Sequence, residues 1–217
     1  TFINELAVLC EKVGADAKEV ERGLKTESRI GPRAYLGPGA AFASGTLGRD
    51  LQFLERLGLT HRAPLFLVAG ARKSNRIHRA WTIQRIGDAL PNLKGVILAL
   101  WGLTYKPGTD TLRRSLAVEM ARQWKARGAT IRAFDPALQR LSPAVARDVT
   151  LAASPEEALN GASALVVATE WPIFRQIPPS DLKARMRRLL VVDPSRFLGD
   201  TLGQEPGIEY WSVGRVK

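Results

Sequence analysis

Four short segments in the second half of the chain concentrate charge, proline and aromatic residues: "TYKPGTD" at 104–110, "FDP" at 134–136, "TEWP" at 169–172 and "DPSR" at 193–196. Each directly follows an apolar run. The first holds Tyr105 and Lys106, and Arg113 comes seven residues after Lys106. Two cations beside the start of a helix make a site for a phosphate or diphosphate, because free N–H groups and the helix dipole add to the side-chain charge. The plainer alternative is an ordinary polar turn with Arg113 in solvent. In the first half, "PGAAFASGTLGRD" at 38–50 is small and flexible until it closes on Leu47, Arg49 and Asp50. Such a loop can wrap a ligand, and whether it also does chemistry is not settled by the loop alone.

The apolar pattern shows what must position these residues. "TFINELAVLCEKVG" repeats apolar residues at helical spacing, and "DAKEVERGLKTES" gives a second helix with Asp16 as its N-cap. The stretch from Arg29 to Gly48 is too rich in glycine and proline for regular structure. A third helix is expected over Asp50 to Leu57. A long one is expected over Pro64 to Leu90, with Leu65, Val68, Ile77, Trp81 and Ile86 on its buried side. From Leu93 the pattern changes. "GVILALWGL", "ATIRAFDP", "SALVVATEW" and "RLLVVDPSRF" read as strands, separated by the helical "LRRSLAVEMARQWKARG", "SPEEALNGA" and "PSDLKARMRR". Strands alternating with helices predict an α/β fold with a parallel sheet, and ligands in such sheets sit at the strand carboxyl ends. The four charged segments lie there. The turn after the first strand lacks GxGxxG, so a complete dinucleotide-binding domain is not evident.

Composition narrows the functional classes. The net charge is +11, yet residues 1–50 carry seven basic and seven acidic side chains. The excess is dispersed over later helices with no zinc spacing and no RNA-binding aromatic signature, which disfavours nucleic acid. No apolar run approaches the roughly 20 residues of a membrane span. Cys10 is the single cysteine. Its helical apolar spacing makes it a buried thiol, and a chain that cannot form an internal disulfide suits a reducing, cytoplasmic compartment. His61 and His78 are read as surface or helix-packing residues.

"FINELAVLCEKVGAD", "SRIGPRAYLGPG", "GRD", "WGLTYKPGTDTLRRS", "ALVVATEW" and "VVDPSRF" follow one another in this order. In that combination the chain resembles the UDP-glucose/GDP-mannose dehydrogenase family over essentially its whole length. The resemblance implies a helical central dimerisation domain over 1–90, including a long connecting helix, and a Rossmann-like UDP-binding α/β domain over 91–217. It implies oxidation of the hydroxymethyl group of a nucleotide sugar with NAD as oxidant, a UDP-sugar as ligand and a homodimer as the working form. By motif position, Arg29 matches an arginine that reaches a neighbouring subunit's site. Tyr35, Leu36, Gly37, Gly39 and Phe42 match the loop around sugar and diphosphate. Tyr105 and Lys106 match substrate contacts. Arg113 and Arg49 match the cofactor side, and Arg196 falls about one residue from the family's terminal substrate arginine.

The loop departs from the family pattern. Ala43 and Ser44 replace a glycine pair, Gly45 a serine, Gly48 a proline and Arg49 a lysine, while Thr46 stands at the catalytic cysteine. Asp50 is retained. A thiol is partly thiolate at neutral pH and strongly nucleophilic, whereas a threonine hydroxyl needs an adjacent base. The expectation is therefore a chain that binds a nucleotide sugar and dimerises, with hydride transfer impaired. The abrupt helical start suggests a piece of a longer dehydrogenase. The alternative is a non-catalytic nucleotide-sugar-binding or assembly partner in polysaccharide synthesis.

Overall fold

The computed structural model describes residues 1–43 and 45–215; Ser44, Val216 and Lys217 lie outside the described residues. The chain forms two compact units, one of Thr1–Trp81 with the last residues from Ser212 on, the other of Thr82–Trp211.

The helical unit starts with α1 (Phe2–Val13), which ends at Gly14 in the left-handed conformation, φ 74°. Next comes α2 (Ala17–Thr26), capped as expected by Asp16, whose side chain accepts the Lys18 N–H. After a loop, α3 (Thr46–Thr60) begins four residues earlier than the sequence pattern suggested. Gly48 is absorbed into its first turn rather than ending the loop.

The long helix expected over 64–90 is instead two, α4 (Phe66–His78) and α5 (Trp81–Ala89). Neither glycine nor proline marks the break. The last turn of α4 tightens, with the Ala80 N–H bonding the Ile77 carbonyl at 3.1 Å. Of the residues expected on its buried side, Trp81 and Ile86 are buried, whereas Leu65 and Ile77 are exposed. Cys10 is buried in α1.

The end of the chain returns to this unit. Ser212 and Arg215 exchange backbone hydrogen bonds of 3.0 Å each. In the turn between them, the Gly214 N–H donates to Glu11 Oε1 at 2.9 Å, and its carbonyl accepts the Ala17 N–H at 3.1 Å. Gly214 has φ 80°, and a Cβ there would lie 2.2 Å from the Ala17 Cβ. The position therefore requires glycine twice over, for conformation and for space.

In the sheet unit, β1 (Ile97–Trp101), β2 (Thr130–Phe134), β3 (Thr150–Leu151), β4 (Ala164–Val167), β5 (Leu190–Val192) and β6 (Glu209–Trp211) pair in parallel in the order β3-β2-β1-β4-β5-β6. Between them run α6 (Leu116–Ala126), α7 (Pro143–Ala146), α8 (Pro155–Leu159), α9 (Pro179–Arg185) and α10 (Gly199–Leu202), with a 3-10 turn at Pro172–Gln176. Serines stand at the start of three of these helices, and two of them accept a hydrogen bond there: Ser115 from the Val118 N–H and Ser154 from the Glu157 N–H.

Alternate strand residues point to opposite faces. Ala99, Trp101, Leu165, Val167 and Val191 join one core with Leu159, Phe174 and Leu182. Leu98, Leu100, Val166 and Val192 on the other face are equally buried. Burial on both faces is why these strands read as continuous apolar runs rather than alternating ones.

Candidate ligand-binding site

Past β1 the chain turns at Gly102, where φ is 90° and a Cβ would lie 2.3 Å from the Thr169 Cβ. Only glycine lets the ends of β1 and β4 approach this closely. The next residues are held by the buried carboxylate of Asp135, at the end of β2. Its Oδ2 accepts the N–H groups of Leu103 at 2.7 Å and Thr104 at 2.9 Å, the Thr104 hydroxyl at 2.9 Å and the Trp171 indole N–H at 3.2 Å. Its Oδ1 accepts the Ala137 N–H at 3.0 Å.

Two hydroxyls complete the lattice, Thr169 donating to the Thr104 carbonyl and Ser115 to the Leu103 carbonyl, each at 2.5 Å. From this fixed base the turn bearing Tyr105 and Lys106 projects into solvent. The Lys106 ammonium lies 5.5 Å from the centre of the Tyr105 ring. Arg113 is exposed, two residues before the cap of α6. Lys106, Arg113 and the start of α6 thus belong to one excursion of the chain.

Past β5, Asp193 is buried as well. It accepts the Leu198 N–H at 2.7 Å and the Tyr210 hydroxyl at 2.6 Å, while its Oδ1 is buried without a hydrogen bond. Burial raises its pKa, and burial also raises that of Tyr210. Arg196 adopts φ 56° and Arg114 φ 62°. Among the described residues the only other non-glycine at positive φ is Arg62. Two of the three strained arginines therefore stand at strand-end loops, where unusual backbone often marks function.

The helical unit carries the other candidate residues. Its loop is anchored by three buried polar side chains from α1 and α4. Asn4 Oδ1 accepts the Gly39 N–H at 3.0 Å, and His78 Nε2 donates to the Gly39 carbonyl at 2.8 Å. Asn75 pairs with both backbone groups of Phe42, at 3.0 Å each. Burial lowers the His78 pKa, and the neutral ring with its proton on Nε2 suits that carbonyl. Gly39 and Phe42 are thus fixed, Leu36 is half-buried, and Gly37 and Tyr35 are exposed. Arg29 folds back on Glu27, with contacts of 3.0 and 3.3 Å.

Thr46 is the first residue of α3, and Asp50 lies one turn further on the same face. Both are exposed, as is Arg49, which pairs with Asp50 at 3.5 Å. Ser44, at one of the replaced glycines, lies outside the described residues. His61 is exposed, so of the two histidines only His78 packs. The anchoring roles of Asn4, Asn75, His78 and Asp135 were not legible in the sequence, because each partner lies more than thirty residues away.

An all-parallel sheet in the order 3-2-1-4-5-6, with polar loops at its carboxyl edge, defines a doubly wound α/β protein of the ligand-binding kind. The comparisons with known proteins are specific. Residues 99–200 match the UDP binding domain of the UDP-glucose/GDP-mannose dehydrogenase family, and residues 1–77 match its central domain. The chain belongs to the UDP-glucose/GDP-mannose dehydrogenase family. It is 34% identical over 217 residues to a UDP-glucose 6-dehydrogenase of Rhizobium meliloti, with 99% of this chain and 49% of the relative covered. It is 31% identical to the Rickettsia prowazekii enzyme of the same name, covering 98% of this chain and 50% of the relative.

Among solved structures it resembles a UDP-glucose dehydrogenase from Pyrobaculum islandicum, with a TM-score of 0.80 and 25% identity, over 98% of this chain and 47% of that one. The chain spans about half the length of the curated relatives it matches.

Proposed function

We propose that this chain supplies the nucleotide-sugar-binding and self-associating part of a UDP-glucose dehydrogenase-like protein. The helical unit acts as the association module and the sheet unit as the UDP-binding module, the division falling at Trp81 rather than at residue 90. The observation that carries the reading is the braced Tyr105–Lys106 turn at the carboxyl edge of the sheet, together with the match of residues 99–200 to a UDP binding domain. Lys106 offers a point charge to the diphosphate, with Arg113 and Arg196 as further cations.

The residues present do not form an NAD site of the usual kind. No glycine fingerprint follows β1. Asp135, at the strand end where a dinucleotide fold places the carboxylate for the ribose, is already engaged by five donors of its own chain. Arg49 and Arg113 remain as exposed cations on the side the resemblance assigns to NAD. Thr46 supplies no ready nucleophile, and the neighbouring Asp50 is a weak base for an alcohol. Hydride transfer by these 217 residues alone is therefore not expected. Among the described residues no helix is long and apolar enough to cross a membrane.

Calorimetric titration of the 217-residue chain with UDP, UDP-glucose and GDP-mannose tests the reading. Saturable binding of the UDP ligands, without steady NADH formation when NAD and UDP-glucose are added together, is the expected result. Absence of binding by all three removes the nucleotide-sugar reading and leaves an assembly role.

A further inference from the structure

We propose that Asp135 is the positioning residue of the nucleotide site. It touches no ligand itself but fixes the turn that presents Tyr105 and Lys106. The inference rests on the nucleotide reading of that turn. Asp135 sits at the carboxyl end of β2, is 1% exposed, and every one of its five partners is a donor. Three of those donors belong to Leu103 and Thr104, the two residues immediately before Tyr105. A fourth, the Trp171 indole, comes from the segment after β4. One carboxylate thus ties together the ends of three neighbouring strands and leaves the chain free to project only from residue 105 onward.

The carbonyls of Leu103 and Thr104 are held from the opposite direction by Ser115 and Thr169. With both polar groups of each peptide satisfied, the two residues have little room to rotate. Tyr105 and Lys106 inherit that restriction. A ligand then meets a preset cation and pays less to order it, which is the general source of affinity from preorganisation.

The test uses Asp135→Asn, which preserves shape but puts an amide N–H₂ where one of the accepting oxygens was. UDP affinity is measured for the wild-type chain, Asp135→Asn, Lys106→Ala and the double variant. Amide hydrogen exchange is followed over residues 103–106 without ligand. The expected result is roughly tenfold or greater loss of UDP affinity in Asp135→Asn, the scale of one misplaced charged contact. The Lys106→Ala loss should shrink in the Asp135→Asn background, since a misplaced lysine has less to lose. Exchange at 103–106 should accelerate while the strands stay protected.

Unchanged UDP affinity in a folded Asp135→Asn chain, or full additivity with Lys106→Ala, overturns the proposal. If the wild-type chain itself does not bind UDP, the nucleotide reading fails separately. Unchanged exchange at 103–106 would then still refute the positioning role. Should Asp135→Asn not fold, Thr104→Val removes only the hydroxyl partner. It should give a smaller shift of affinity and exchange in the same direction, and no shift would again refute the role.

Discussion

The two units of the chain solve the burial problem in opposite ways. The sheet unit hides its apolar surface: Trp101, Trp124 and Phe174 are fully buried, with Trp101 and Phe174 stacked at 4.9 Å. The helical unit leaves much of its apolar surface outside. Of the large hydrophobic residues exposed among the described residues, all except Tyr105 lie within residues 1–77. Phe53, Leu57 and Leu59 on α3 and Phe66, Leu67 and Ile77 on α4 are among them. Apolar side chains left exposed in this number on one folded unit are the kind of surface that a partner covers. The sheet unit buries its apolar side chains within itself, and the exposed ones of the helical unit are where the proposed self-association would bury more.

Four experiments bear on the difference between the units. The largest effect should come from Gly102→Ala, whose new Cβ would meet Thr169 at 2.3 Å with the backbone at φ 90°. The sheet unit should lose about 4 kcal/mol or more, read by urea denaturation. A loss under about 1 kcal/mol would show that the strand ends are looser than described.

Next in size is the exposed face of the helices. Phe66→Ser with Leu57→Ser should convert associated chains to monomers in light scattering. Within the monomer, each change should cost only about 0.5 kcal/mol, as for other surface substitutions. A cost above about 2 kcal/mol per site would mean those side chains are core, and the contrast would collapse.

Third, the units should respond to pH with opposite sign. Burial lowers the His78 pKa, so the folded helical unit binds fewer protons than the unfolded chain. Its stability contribution is present above about pH 6.5 and lost as pH falls through the folded value. Burial raises the Asp193 pKa, so its contribution is full below the unfolded value of 3.8 and lost as pH rises through the folded one. Hydrogen exchange followed separately over α4 and β5 between pH 4 and 7 resolves the two. His78→Gln should flatten the first trend, and Asp193→Asn the second. Parallel trends in both units would contradict the assignment.

The smallest effect is expected from Glu209→Gln, which weakens a partly exposed pair with Arg188 at 2.8 Å. About 0.5 kcal/mol is the expected scale for such a pair, measured by thermal unfolding.

The same contrast explains what could be read from the sequence. Strands β1, β4 and β5 were legible because burial on both faces makes their residues uniformly apolar, and β2 because its buried Ile131 and Ala133 alternate with more exposed residues. Edge strands β3 and β6 escaped notice, being two and three residues long and partly exposed. In the helices, apolar periodicity gave the elements but overstated burial. Leu65 and Ile77 have the right spacing for a core, but spacing alone cannot tell a buried face from an exposed apolar one. The break after His78 was hidden because no glycine or proline makes it.

At the candidate site, the local pieces were visible: the charged segments past each strand and the cap at Ser115. What joins them was not. Asp135 meets Leu103 across 32 positions and His78 meets Gly39 across 39, and neither distance leaves a local pattern.

The closing turn at Gly214 also bears on synthesis. Glu11 and Gly214 are 203 residues apart, yet they share a hydrogen bond within the helical unit. As the chain leaves the ribosome, α1 and α2 emerge before the sheet unit but lack the residues that lock them together. The sheet unit, whose strands and crossovers are complete by residue 211, can finish before that lock arrives. Those two helices are thus made before the sheet unit but secured after it, and during that interval their apolar faces are open to chaperones and to neighbouring nascent chains.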